Sequence, residues 1–176
     1  MTVPAVTAPF LAASAVLAAA GAAKLGRPDY TARALQAAGL RLGRRRAGRG
    51  AVRAGAAVEA AVGVLGVVRP GPLTGALVAA SYSAFALFVL LALYRGWPLS
   101  SCGCFGRPDS RPGYQHAVLN AGAAAVSAWW ALDAPGRLGR LFVHEPWNGA
   151  PLLLLSAVIA GLAYLIWTSP LTKEVA

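Results

Sequence analysis

Five apolar stretches, each close to twenty residues long, occupy most of this chain: 3–23, 50–68, 72–94, 114–132 and 150–167. An α-helix rises 1.5 Å per residue, so about 20 residues cross a hydrocarbon core about 30 Å thick. The chain is therefore expected to be an all-α membrane protein: a compact transmembrane helical bundle with a four-helix core and a fifth, C-terminal span. The core and the cysteine connection take residues 1–135. Residues 136–176 are the last connection and the additional helix. The second stretch is the least regular, because its uninterrupted middle is short and Glu59 lies inside it.

Composition argues against a water-soluble core. Hydrophobic residues make up 57% of the chain and charged residues 12%, with a mean hydropathy of +0.58; soluble domains carry roughly 25% charged residues. The net charge of +10 would suit nucleic acid if it were spread over a polar surface. Instead, nine of the sixteen Lys and Arg residues fall between Lys24 and Arg53, in and around the first connection. A basic cluster beside a span reads as a topology signal or an anionic-lipid contact, so the bilayer is the expected partner and nucleic acid is not. Residues 1–23 carry no charged side chain, which argues against a cleaved signal peptide and for an uncleaved first span.

The connections differ in character. Arg69-Pro70-Gly71-Pro72 is a tight turn that makes a hairpin of the second and third spans. Residues 28–40 suit a short interfacial helix ended by Gly39, whereas 44–50 reads as irregular. Tyr94, Trp97, Tyr114, Trp129, Trp130, Trp147 and Trp167 stand at span ends, as an interfacial aromatic belt would. Gly21, Gly55, Gly63, Gly66, Gly122 and Gly161 allow helices to approach closely in lipid.

Both cysteines lie in one short connection, Cys102-Gly103-Cys104-Phe105-Gly106, after the third span. A disulfide across one residue closes a small ring, and the intervening glycine relieves backbone strain. A strained disulfide is easily reduced, the property of exchanging rather than structural bridges. Arg95 and Arg107 nearby would favour the thiolate. Two other readings compete. A zinc site needs four ligands, and with His116 the neighbourhood offers at most three, so no metal is expected. Inert thiols are the other, although their usual place is an apolar interior.

Glu59 is costly within a span and should face the bundle interior with a partner, for which Lys24 and Arg53 are candidates. It would serve as a proton acceptor, as a polar contact to a quinone-like head group, or as a packing hydrogen bond. Quinone is the one cofactor that these residues suggest. Asn120 in the fourth span poses the same choice between function and packing. His116, on the cysteine side, could assist thiol deprotonation or simply be solvated; His144, on the opposite side, is expected to be solvated.

These residues resemble the MauE family of membrane proteins, related to DoxX-like redox-associated proteins. The resemblance rests on Ala22-Ala23-Lys24-Leu25 at the end of the first span, Glu59 in the second, the Cys-Gly-Cys-Phe-Gly block after the third and Asn120 in the fourth. It implies a multi-pass protein of a bacterial cell membrane, associated with methylamine utilisation. It also implies work with a thioredoxin-like partner in forming or maintaining disulfides of the methylamine dehydrogenase small subunit. Cys102, Cys104, His116 and Glu59 are then the expected catalytic residues of a thiol–disulfide exchange. A non-catalytic membrane scaffold that holds a partner during maturation is the alternative, and a small-molecule transporter dependent on Glu59 is a third. Five spans put thirteen Lys and Arg residues on the side holding 24–49, the cysteines and the carboxyl tail, and three on the other. The positive-inside rule turns the cysteines to the cytoplasm, whereas an exported thioredoxin-like partner would want them outside.

Overall fold

In a computed structural model, residues 6–40, 45–97, 113–133 and 149–168 are described. They form six helices in chain order: α1 (Thr7–Gly26), α2 (Pro28–Ala37), α3 (Arg45–Val68), α4 (Pro72–Tyr94), α5 (Tyr114–Leu132) and α6 (Ala150–Thr168). No strand occurs among the described residues. The all-α bundle expected from the hydropathy pattern is therefore the fold. Length and apolarity alone single out α1, α3 and α4 as candidate membrane spans, and α6 carries the apolar run Ala150–Ile166. α5 falls short of that standard because it contains Gln115, His116, Asn120 and Ser127; of these His116, Asn120 and Ser127 are buried.

Two antiparallel pairs, α1 with α3 and α4 with α5, make the most extensive contacts, and α1 also packs on α5 and α6. Small residues decide the first pair. A Cβ on Gly21 would stand 2.5 Å from the Ala60 backbone nitrogen, and one on Gly63 would stand 2.7 Å from the Ser14 carbonyl oxygen. Without a hydrophobic drive between helices in lipid, such backbone-to-backbone approach is how they gain contact. Gly66 faces the Ser14 side chain in the same interface. Gly55, Gly122 and Gly161, expected to act alike, face open space instead.

The core lies around Phe10, Leu17, Val78, Tyr82 and Trp130. The Phe10 and Trp130 rings stack with centroids 4.8 Å apart, and the Tyr82 hydroxyl donates to the Ala13 carbonyl at 2.8 Å. Trp130 therefore leaves the interfacial belt assigned to it, while Tyr94, Tyr114 and Trp129 remain exposed at helix ends. Its neighbour Trp129 takes the outward position because adjacent helical residues point about 100° apart.

α2 starts at Pro28, where a missing N–H costs a helix nothing. It ends at Gly39, whose φ of 84° suits a residue without a Cβ. The stretch 44–50 departs from expectation, since α3 is helical from Arg45. Arg is a good helix former, and the Arg49 guanidinium pairs with the Asp29 carboxylate of α2. That contact holds α2 against the first turns of α3.

Candidate functional site

Glu59 lies in the middle third of α3, on the face turned to α1 and α4. Lys24, in the last turn of α1, reaches it from across the interface. The Lys24 ammonium donates to both carboxylate oxygens, at 2.8 Å to Oε1 and 2.7 Å to Oε2. Both residues are nearly sealed, Lys24 at 6% and Glu59 at 8% exposure. The Lys24 nitrogen also sits 4.6 Å from the centroid of the Phe85 ring of α4, a cation–π distance. Phe85 in turn meets Tyr82 edge-on, with centroids 6.2 Å apart. Three helices thus converge on one pair of opposite charges.

Of the two candidate partners for Glu59, Lys24 is the one engaged. Arg53 is exposed. It stands six residues before Glu59, and at about 100° per residue that places it roughly a third of a turn away from the buried face. Phe85 and Tyr82 carry no charge, and sequence reasoning missed them. Their signal was their spacing of three within a span, which sets two aromatic rings on one helical face.

Phe85 precedes the end of α4 at Tyr94 by nine residues and follows its start at Pro72 by thirteen, so the ring beside the pair lies about 14 Å along α4 from one end and about 20 Å from the other, whereas Lys24 stands in the last turn of α1. Separate charges so buried would be costly, and pairing offsets part of that cost.

A cleft of about 390 Å³ runs alongside the pair, bounded by α1, α2, α3 and α4. Lys24, Glu59 and Phe85 line its inner end; Thr31 and Leu35 of α2, and Gly55 and Val58 of α3, line the rest. A second hollow, of about 350 Å³, lies between α1, α5 and α6 and is walled only by apolar residues such as Val16, Val126 and Ile159.

Cys102 and Cys104 lie outside the described residues, as do Arg107 and His144. The two attachment points of their connection are described. At the end of α4, Gly96 adopts a φ of 58°, and the Trp97 N–H bonds back to the Ala92 carbonyl at 3.0 Å. This is the glycine-terminated stop of a helix, and it lays the Trp97 ring against Phe88. At the start of α5, the Gly113 N–H donates to Nδ1 of His116 at 3.2 Å, while the His116 N–H donates to the Gly113 carbonyl at 3.0 Å. Because α4 and α5 run antiparallel, both attachment points lie at the same end of the bundle.

His116 is fully buried. The solvated alternative for this residue is thereby overturned, since its ring caps the first turn of α5 instead of facing water. An Nδ1 that accepts leaves Nε2 as the protonated nitrogen of a neutral ring. Asn120, one turn further along, donates to the His116 carbonyl at 2.7 Å and is also buried. His116 and Asn120 therefore stand together under the start of α5. The ion pair belongs to α1, α3 and α4.

A family model described as "Methylamine utilisation protein MauE" matches residues 1–133 of the 176. The match stops at the end of α5, and α6 lies beyond it. No curated protein and no solved structure matches the chain.

Proposed function

The chain belongs to the MauE family, and from that premise we propose that Cys102 and Cys104 cycle between dithiol and disulfide in exchange with a thioredoxin-like protein. Membership of the family supports a membrane protein of methylamine utilisation; the exchange chemistry is our reading of the cysteine connection. The observation that carries it is the Cys-Gly-Cys motif in a connection hung from two fixed points at one end of the bundle. One intervening residue keeps the two cysteines adjacent in sequence, and α4 and α5 anchor the connection that carries them.

In the oxidising direction, a partner thiolate attacks one sulfur of the Cys102–Cys104 disulfide and forms a mixed disulfide. The second partner thiolate then displaces that sulfur. The partner leaves as a disulfide, and the chain is left as a dithiol. A neutral His116 at the foot of the connection supplies a group that can take or return a proton when it has access to the sulfurs. Glu59 is assigned to a separate role, as the inner end of the membrane cleft.

Cys102→Ser and Cys104→Ser should each abolish exchange. One of them should trap the partner through the remaining cysteine, as a covalent adduct on non-reducing gels that reductant dissolves. If both single variants supported disulfide formation in cells as wild type does, this reading would be lost.

A further inference from the structure

We propose that the cleft beside Lys24 and Glu59 binds the head group of a neutral membrane amphiphile that brings a hydroxyl donor, such as a diacylglycerol or a quinol. This inference does not depend on the cysteines.

The charge of the site selects the class of ligand. Lys24 and Glu59 cancel each other, so an anionic or cationic head group would leave one uncompensated charge buried in the bundle. A neutral head group adds none. Hydrogen-bonding capacity then selects within the neutral class. The Lys24 ammonium gives two of its protons to Glu59 and lies over the Phe85 ring. An ionised carboxylate has about four lone-pair sites, and the ammonium occupies two of them. What the pair has left to offer is acceptor capacity on Glu59 and the third ammonium proton, and a hydroxyl, donor and acceptor at once, satisfies both.

Size and walls agree. At about 390 Å³ the cleft is at the lower end of small-molecule sites, enough for a ring or a glycerol unit but not for a lipid tail. The rest of its wall is apolar apart from Thr31 and Ser81, whose hydroxyl donates to the Leu77 carbonyl of its own helix at 2.9 Å, and Val58 on α3 is 64% exposed. A tail can therefore leave sideways into the bilayer. The second hollow, between α1, α5 and α6, has no polar group and makes a natural control.

The test uses the purified full-length protein in nanodiscs and equilibrium binding of four probes. Two carry the hydroxyl, 1,2-dioctanoylglycerol and decylubiquinol. Decylubiquinone lacks the donor, and dioctanoyl phosphatidic acid replaces it with charge. Saturable binding of at least one hydroxyl probe, about tenfold tighter than its counterpart, is expected for the loss of one hydrogen bond to a charged acceptor. Which of the two binds identifies the source of the head group.

Gly55→Leu fills the cleft, and a Cβ there meets nothing within 4 Å, so the bundle tolerates it. It should weaken binding about tenfold or more. Gly122→Leu fills the apolar hollow under the same open condition and should leave binding unchanged. Binding should also survive in the Cys102→Ser/Cys104→Ser double variant, so this result and that of the exchange assay can fail separately. The proposal is overturned if the hydroxyl probe that binds is matched in affinity by its counterpart (phosphatidic acid for dioctanoylglycerol, decylubiquinone for decylubiquinol), by wild-type affinity in Gly55→Leu, or by no saturable binding of either hydroxyl probe.

Discussion

At the residue scale, the molecule turns on one carboxylate. The cost of Glu59 inside an apolar stretch made it legible without coordinates, and so was its need for a partner. The choice between Lys24 and Arg53 was settled by geometry, because sequence proximity favours the arginine while helical phase turns it away. Lys24 comes from another helix, and pairing across helices cannot be read from spacing. His116 was misjudged for a similar reason. Its position at the edge of a span suggested solvent, but the Gly113 N–H captures its ring and α5 carries it inward. Breaking the pair from one side should be costly. Lys24→Met or Glu59→Leu alone leaves an unpaired buried charge and should destabilise the fold by roughly 3–5 kcal/mol. The double variant Lys24→Met/Glu59→Leu should recover most of that loss. Thermal unfolding of the four proteins in detergent checks both statements, and a double variant no better than the singles would count against the pair as a self-contained unit.

At the element scale, five long helices were readable from hydropathy, and the bounds of α4 and α5 agree with the expected spans. The first turn of α3 was not readable. A run of arginines and glycines looks irregular in isolation, and only the Asp29 partner on α2 and the continuing helix give it order. Glycine content likewise announced close packing without telling which glycines take part. Gly21 and Gly63 meet the neighbouring backbone directly, whereas Gly122 meets nothing. Gly63→Ala should therefore push α1 and α3 apart and cost about 1–3 kcal/mol by overpacking. Gly122→Ala should be neutral or stabilise by up to about 1 kcal/mol through helix propensity. The same unfolding measurement separates the two, and equal effects would mean that the α1–α3 approach is looser than described.

At the scale of the whole molecule, the uncertain second span is a 24-residue helix and a candidate crossing in its own right. With α1 and α4 it makes three candidate crossings; were α5 and α6 to cross as well, thirteen basic residues would stand on one side against three on the other. On that count the positive-inside rule predicts that α2, the first turns of α3, Cys102 and Cys104 face the cytoplasm. A membrane-impermeant maleimide should label Cys102 and Cys104 in inverted vesicles and spare them in intact cells. Labelling only in intact cells would reverse the orientation and place the exchange partner outside. The fused charges of α1 and α3 have one more consequence. An electric field across the bilayer does about 2.3 kcal/mol of work per elementary charge for each 100 mV, but a salt pair of zero net charge gives that field nothing to pull. The pair itself should add nothing to any voltage response of the bundle, and would do so only once Glu59 is neutralised and Lys24 is left alone.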